Sequence, residues 1–518
     1  MRPKSVFGPM PINRRRRSML LRAALAPLPV LGGCGGGMGS MGSMGTIVGD
    51  APPLTDPFPT PNSAGRSLPI IALDQGAVDA SGVRTFSLAI QRGTTQFRSG
   101  TDTATWGYNG ALLGPALKLR TGEPTRIQVQ NGLAETTTVH WHGLFVPARV
   151  DGGPHQPIAA GARWQADFTV ANSASTCWFH PHVHGATGRQ VVAGLAGLLV
   201  VDDGSTNPST LPATWGVDDV ALVLQDKRFT PSGQIDYTLD ANDRTLGYMG
   251  DTLLVNGVIG PVWQAPRQWV RLRLLNGCNA RTLSVRLGNA ASVLQIANEG
   301  GLLSAPVART ALVLAPGERA EVLADFSGAA AGQEIALLVG TVSNATGMGM
   351  GGAASSAEVT AMKFRVSLPR QQGAIASPPG ALPAAVPVVA SAGATVRSFS
   401  LDGAMMGGPF TINSRSFDIN RNDFAAPANA VEVWRFFNAT GMAHPMHVHG
   451  VKMSLLTRNG APPPAYEQGL RDTFVVAPME TVTVAVQTAA VASPTPLVFH
   501  CHILEHEDAG MMGQFITA

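Results

Sequence analysis

Thirteen residues near the end of the chain, "HCHILEHEDAGMM" at 500–512, hold three of its 12 histidines, one of its 4 cysteines and two methionines. Soft and borderline ligands packed this densely suit copper. The remaining histidines are almost as concentrated. His140, His142, His155, His180, His182 and His184 fall in one stretch, His444, His447, His449, His500, His502 and His506 in another, and none lies between. Five pairs are spaced His-x-His, where random placement would give roughly 0.3. In an extended strand the side chains at i and i+2 share a face, so "HWH" (140–142), "HPH" (180–182), "HVH" (447–449) and "HCH" (500–502) can bring eight imidazoles to one centre. Cys501 must then face the other way, toward a second pocket. There His444, His506 and a weak axial thioether from Met511 make up a His2Cys electron-transfer site. Met512 competes for the axial place, although the downstream spacing favours Met511.

Such a scheme needs strands, and the rest of the chain supplies them. Glycine (59) and proline (38) are plentiful, only 14% of residues are charged, and the Val, Leu and Thr runs are too short for long amphipathic helices. Three segments repeat one pattern: an Asn-Gly or Asn-Ser, a loop, then alternating apolar residues that end at an asparagine. They are 106–133, 253–279 and 410–440, with first asparagines Asn109, Asn256 and Asn413 and strand-ending ones Asn131, Asn276 and Asn438. "RWQADFTV", "GERAEVLADF" and "METVTVAV" follow as a matching later strand. A period of about 150 residues is a duplicated domain and not a solenoid repeat. The expected fold is all-β, three Greek-key sandwiches or barrels over 63–204, 205–368 and 395–518, with a Pro/Ala-rich linker at 369–394.

The first 62 residues read as an address followed by a tether. Residues 1–34 carry an arginine cluster with Arg16 and Arg17, a short apolar segment and Leu31-Gly32-Gly33-Cys34. They resemble a twin-arginine export signal ending in a lipobox, with Cys34 acylated; an ordinary secretory signal cut elsewhere is the alternative. Residues 35–62 are rich in Gly, Ser, Met and Pro. Met38, Met41 and Met44 there could take Cu(I), although a plain flexible linker accounts for the same composition. Either way the expected location is exported and periplasmic, with any membrane link a lipid on Cys34, since no later run reaches the ~20 apolar residues of a span. The net charge of +3 comes largely from the first 22 residues, which leaves no basic stripe for nucleic acid.

The motifs "HWHG", "CWFHPHVHG", "HPMHVHG" and "HCHILEHEDAGMM" together resemble the bacterial three-domain multicopper oxidases, the laccases and cuprous oxidases, over nearly the whole mature length. That resemblance implies three cupredoxin domains and four copper ions. His444, Cys501, His506 and Met511 look like type 1 ligands, and His140 and His447 like the type 2 pair. His142, His180 and His502 look like one type 3 triad, and His182, His449 and His500 like the other. It also implies a function: one-electron oxidation of a donor at the type 1 copper, coupled to reduction of O2 to water at the trinuclear cluster. Asp151 in "RVDGGP" and Glu507 beside His506 match proton-donating acids of the cuprous-oxidase branch. His155 and His184 are left for loop or supporting roles.

The motifs are most similar to cuprous oxidases, but the long Met-rich insert of those enzymes is reduced here to "SLDGAMMGGPF", with Met405 and Met406. The expectation is therefore an open type 1 site that meets phenolic or other small aromatic donors, with Cu(I) as a further substrate. Met348, Met350, Met442, Met446 and Met453 are expected to be packing or loop residues. The competing function is a periplasmic cuprous oxidase or copper-sequestering protein dedicated to copper tolerance. A complete trinuclear ligand set favours the enzyme, because storage needs no such geometry. A monomer is expected. Cys177 and Cys278 are either a disulfide or two buried thiols.

Overall fold

The computed structural model describes residues 51–58, 65–207, 209–343, 357–403 and 409–518. The export signal with Cys34, the methionines at 38–44 and Met348, Met350, Met405 and Met406 lie outside these residues. The described chain forms six β-sheets, which pair into three cupredoxin-like sandwiches, as the duplicated pattern predicts. Their strands run over 73–202, 219–368 and 396–517. Each sandwich closes over its own apolar core: Phe86, Ile90, Trp141 and Phe179 in the first, Leu222, Leu272, Val322 and Phe364 in the second, Phe399, Trp434, Phe499 and Phe515 in the third.

One strand arrangement recurs three times. Arg84–Arg98 pairs in parallel with Pro124–Asn131, which pairs antiparallel with Arg163–Thr169. Asp219–Lys227, Trp269–Asn276 and Arg319–Asp325 repeat this, as do Val396–Gly403, Val431–Asn438 and Thr481–Gln487. The six marker asparagines explain why the pattern is readable. Asn109, Asn256 and Asn413 take positive φ (56°, 49° and 53°), a conformation asparagine tolerates better than most residues. The strand-ending asparagines are buried, and their amides tie two or three carbonyls at each corner. Asn276 Nδ2 donates to Arg281 O and Leu314 O, and Asn438 Nδ2 to Met442 O and Val476 O.

Three short α-helices lie between strands among the described residues: α1 (Thr187–Val192), α2 (Ala241–Leu246) and α3 (Leu504–Asp508). None of the described helices is long and apolar enough to cross a membrane. The Pro-rich linker is packed down: Ala385 N–H donates to Leu302 O, and Val388 N–H to Ser454 Oγ. Cys177 and Cys278 are separate buried thiols and form no disulfide.

Candidate metal centres

Strand register brings the histidines together. His140–His142 pairs with Ser175–His180 so that His140 sits opposite His180, and in the third sandwich His447 sits opposite His500. Directly opposed residues of an antiparallel pair share a face, so each sandwich presents a patch of imidazoles and the two patches meet. Nε2 of His140 lies 3.4 Å from Nε2 of His447, and Nε2 of His500 lies 3.1 Å from those of both His182 and His449. His142 Nδ1 lies 3.4 Å from His180 Nε2. Candidate ligand atoms fall into the groups His140/His142/His447, His142/His180/His502 and His182/His449/His500, each within 4.8 Å.

The pocket can be tested for a cation through its own hydrogen bonds. Most of these rings are fixed at one nitrogen by an acceptor, which places the proton there. Nδ1 of His447 donates to Asp472 O (2.7 Å), Nδ1 of His449 to Asp151 Oδ2 (2.7 Å), Nδ1 of His180 to Pro181 O (2.8 Å), and Nε2 of His142 to Asp472 Oδ1 (3.0 Å). The other nitrogens then point lone pairs at one another across 3.1–3.4 Å. His182 Nδ1 and both nitrogens of His502 have no hydrogen-bond partner although they are buried. Protonation offers no relief. Burial, followed by repulsion from neighbouring imidazoles, holds His142, His182, His447 and His449 well below the ordinary imidazole value, and burial brings His500 to about 3. Converging, neutral, unpartnered imidazole nitrogens fit metal cations, and copper accepts this donor set.

Cys501 lies on the other side of its strand. Its Sγ is 3.5 Å from His444 Nδ1 and 3.6 Å from His506 Nδ1. The far nitrogens are fixed: His444 Nε2 to Thr440 Oγ1 (2.9 Å) and His506 Nε2 to Thr245 O (2.9 Å). Burial raises the Cys501 thiol well above its ordinary value, so a thiolate there needs a cation beside it. Met511 shares the apolar cluster of Cys501, and its carbonyl accepts from Cys501 N–H (3.1 Å). Met512 lies outside that cluster. Phe410 covers both rings, with centroids 4.8 Å from His444 and 4.4 Å from His506.

His444 and His506 are 0% and 1% exposed, and α2, which belongs to the second sandwich, supplies the Thr245 carbonyl to His506. Nothing in the spacing of residues 241–246 announces this contact.

Both sequence-selected carboxylates reach the histidine pocket. Asp151 Oδ2 touches His449 and lies 3.3 Å from His140 Nδ1, and its Oδ1 is buried without a partner. Glu507 lies 3.3 Å from His182 Nδ1 and 3.2 Å from His500 Nδ1. Burial, reinforced by Asp508, raises the Glu507 carboxyl well above its ordinary value. His155 bonds Gln514 Oε1 (2.7 Å), whereas His184 is exposed against the Phe417 ring. Neither belongs to a ligand group among the described residues. Met442, Met446 and Met453 are buried in the core of the third sandwich.

Sequence reading missed Asp472, Arg319 and Thr473. Asp472 accepts from His142, and Arg319 from the second sandwich donates to its two oxygens (2.8 and 2.5 Å). Thr473 Oγ1 lies 3.1 Å from His142 Nε2. A single "RDT" carries no periodic signal that would have exposed them.

The fold and pockets together define a class: a three-sandwich, cupredoxin-like copper oxidoreductase with a His2Cys pocket bonded through one strand to a polyhistidine pocket. Comparison with known proteins gives the same class. Residues 89–206 and 391–518 match the family described as Multicopper oxidase. The chain is 36% identical over 440 residues to the multicopper oxidase mco of Staphylococcus haemolyticus, covering 84% of this chain and 89% of that one. It is 32% identical to the cell division protein FtsP of Salmonella typhimurium, covering 83% and 89%. A solved structure of the laccase-like multicopper oxidase CueO from Ochrobactrum sp., described as active toward lignin model compounds and lignosulfonate, superposes with a TM-score of 0.79 at 38% identity, covering 87% of this chain and 100% of that one. The chain belongs to the multicopper oxidase family and is an O2-reducing copper oxidoreductase.

Proposed function

We propose that the donor is a small phenolic or other aromatic reductant, with Cu(I) as a further substrate, and that its electrons are taken singly at the Cys501 pocket. The ligand groups would hold four copper ions: one at His444, Cys501 and His506 with Met511 beside them, one at His140 and His447, and a pair at the triads His142/His180/His502 and His182/His449/His500. Copper held there supplies reversible one-electron chemistry and the binding of O2.

One observation carries this reading: Cys501 faces the His444/His506 pocket while its bonded neighbours, His500 and His502, face the histidine pocket. The two pockets are therefore joined by a few covalent bonds. The protein's remaining tasks are orientation and protons. Asp472, Asp151 and the Pro181 carbonyl set ring tautomers, and burial excludes bulk water from both pockets. Reduction of O2 to two waters consumes four protons as well as four electrons. Glu507, whose buried carboxyl favours the protonated form beside His182 and His500, can deliver one, and Asp151 beside His449 can exchange another.

The signal and lipobox of the sequence support export to the periplasm with attachment through Cys34, and we infer a monomer. Oxygen uptake by the copper-loaded protein, measured with a methoxyphenol and separately with stabilised Cu(I), tests the donor. Faster uptake with the phenol is expected. Uptake with Cu(I) alone would make the protein a dedicated cuprous oxidase.

A further inference from the structure

One histidine of the Cys501 pocket, His506, is met by a helix of another domain. His506 Nε2–H donates to the carbonyl of Thr245, the fifth residue of α2. Several contacts hold α2 in that place. Asp240 caps its start in a reciprocal pair with Asp243. Arg228 grips Asp243 with both terminal nitrogens (3.1 and 2.8 Å), donates to Thr238 O (3.0 Å) and lies over the Tyr248 ring. Glu505, the residue before His506, accepts from Tyr237 Oη–H (2.9 Å) on one side of α2 and from Tyr248 N–H (2.8 Å) on the other, and also from Asn279 Nδ2 (2.7 Å). Leu246 packs on the apolar cluster that contains Cys501 and Met511. The helix exits through Gly247 at φ +83°, where a Cβ would lie 2.3 Å from Ala280 Cβ and 2.5 Å from an Ile503 methyl.

We propose that α2 is a fixed strap that selects donors by size. It rests on the reading that electrons are taken at the Cys501 pocket. A donor approaching from the α2 side meets Ala241, Asn242 and Arg244, which are exposed, and reaches the imidazole only through the Thr245 carbonyl and one hydrogen bond. Small donors that settle against the helix lose little by this separation. Bulky, twisted aromatic donors, which need an open imidazole edge to come close, are discriminated against. The same strap holds His506 in the tautomer that leaves Nδ1 for the metal.

Two variants test the strap in the full-length copper-loaded protein. Asp243→Ala removes both the Arg228 grip and the capping pair, and replacing 241–246 with a Gly/Ser segment of equal length removes the helix. The readouts are kcat/KM for hexacyanoferrate(II), for a methoxyphenol and for a bulky triarylmethane dye, together with the thiolate absorption of the type 1 site. The native protein is expected to favour the small donors. In the variants the dye should gain about ten-fold relative to hexacyanoferrate(II), with the thiolate absorption kept but shifted. A dye-to-hexacyanoferrate ratio unchanged by the Gly/Ser replacement, or by Asp243→Ala if the replacement does not fold, would overturn the strap. So would all three donors moving in parallel. If the native protein at full copper oxidises no donor, the reading of the Cys501 pocket fails instead, independently of α2.

Discussion

The two pockets are built on opposite plans. All the candidate ligands of the Cys501 pocket come from the third sandwich, whereas the histidine pocket is split between the first and third, and the second buttresses it without contributing a histidine. Thr176, one strand residue from Cys177, donates to Glu321 Oε1 (2.6 Å). Glu321 is held by Arg271 and Arg273, and Arg319 on the same strand reaches Asp472. A pocket shared between domains depends on the charges that fix the domains together. A pocket within one domain depends on its own core. The comparison teaches that the histidine-free domain acts on both centres, on one through buried ion pairs and on the other through α2.

The largest effect is expected from Cys501→Ser. It should abolish donor-driven oxygen uptake and the intense thiolate absorption while copper stays in the histidine pocket, as metal analysis and electron paramagnetic resonance would read. Loss of copper from both pockets would mean that they are not independently built. Next is Glu321→Gln, which leaves Arg271 buried with a neutral partner and Arg273 with Asp219 alone and should cost about 3–5 kcal/mol in denaturant unfolding. Its pH signature is specific. Burial pushes the Glu321 carboxyl up, but Arg271 and Arg273 outweigh it and hold it at about 2, below the ordinary 4.5. The stabilisation is thus complete above pH 4.5 and lost as pH falls from there toward 2. Melting scans over that window should flatten in the variant.

Asp472→Asn should weaken copper retention in the histidine pocket by about 10–100-fold, because it disturbs the tautomer of His142, and leave the thiolate absorption unchanged. Equal effects on both pockets would erase the contrast drawn here. The smallest change, Tyr237→Phe, removes one hydrogen bond to Glu505 and should cost about 1 kcal/mol, read as a lower melting temperature without loss of copper.

Much of this was legible beforehand because it rests on local periodicity. His-x-His declares a shared face wherever the backbone is extended, and Cys501 between two such histidines declares the opposite face. The asparagine markers were legible because a positive-φ turn and a corner amide each demand a particular residue type, as at Asn256 and Asn276. Asp472 and Arg319 were not, since their meeting depends on how two sandwiches dock. Thr440 and Thr245 illustrate the same limit: one acts through a hydroxyl four residues before His444, the other through a backbone carbonyl, which any residue could supply.

Electrons taken at the Cys501 pocket should cross to the histidine pocket and leave only in water. Counting donor molecules oxidised per O2 consumed, with hydrogen peroxide assayed in the same vessel, tests this most directly. Four one-electron donors per O2 and no peroxide are expected. Two donors per O2 with peroxide accumulating, in protein carrying copper in both pockets, would contradict this.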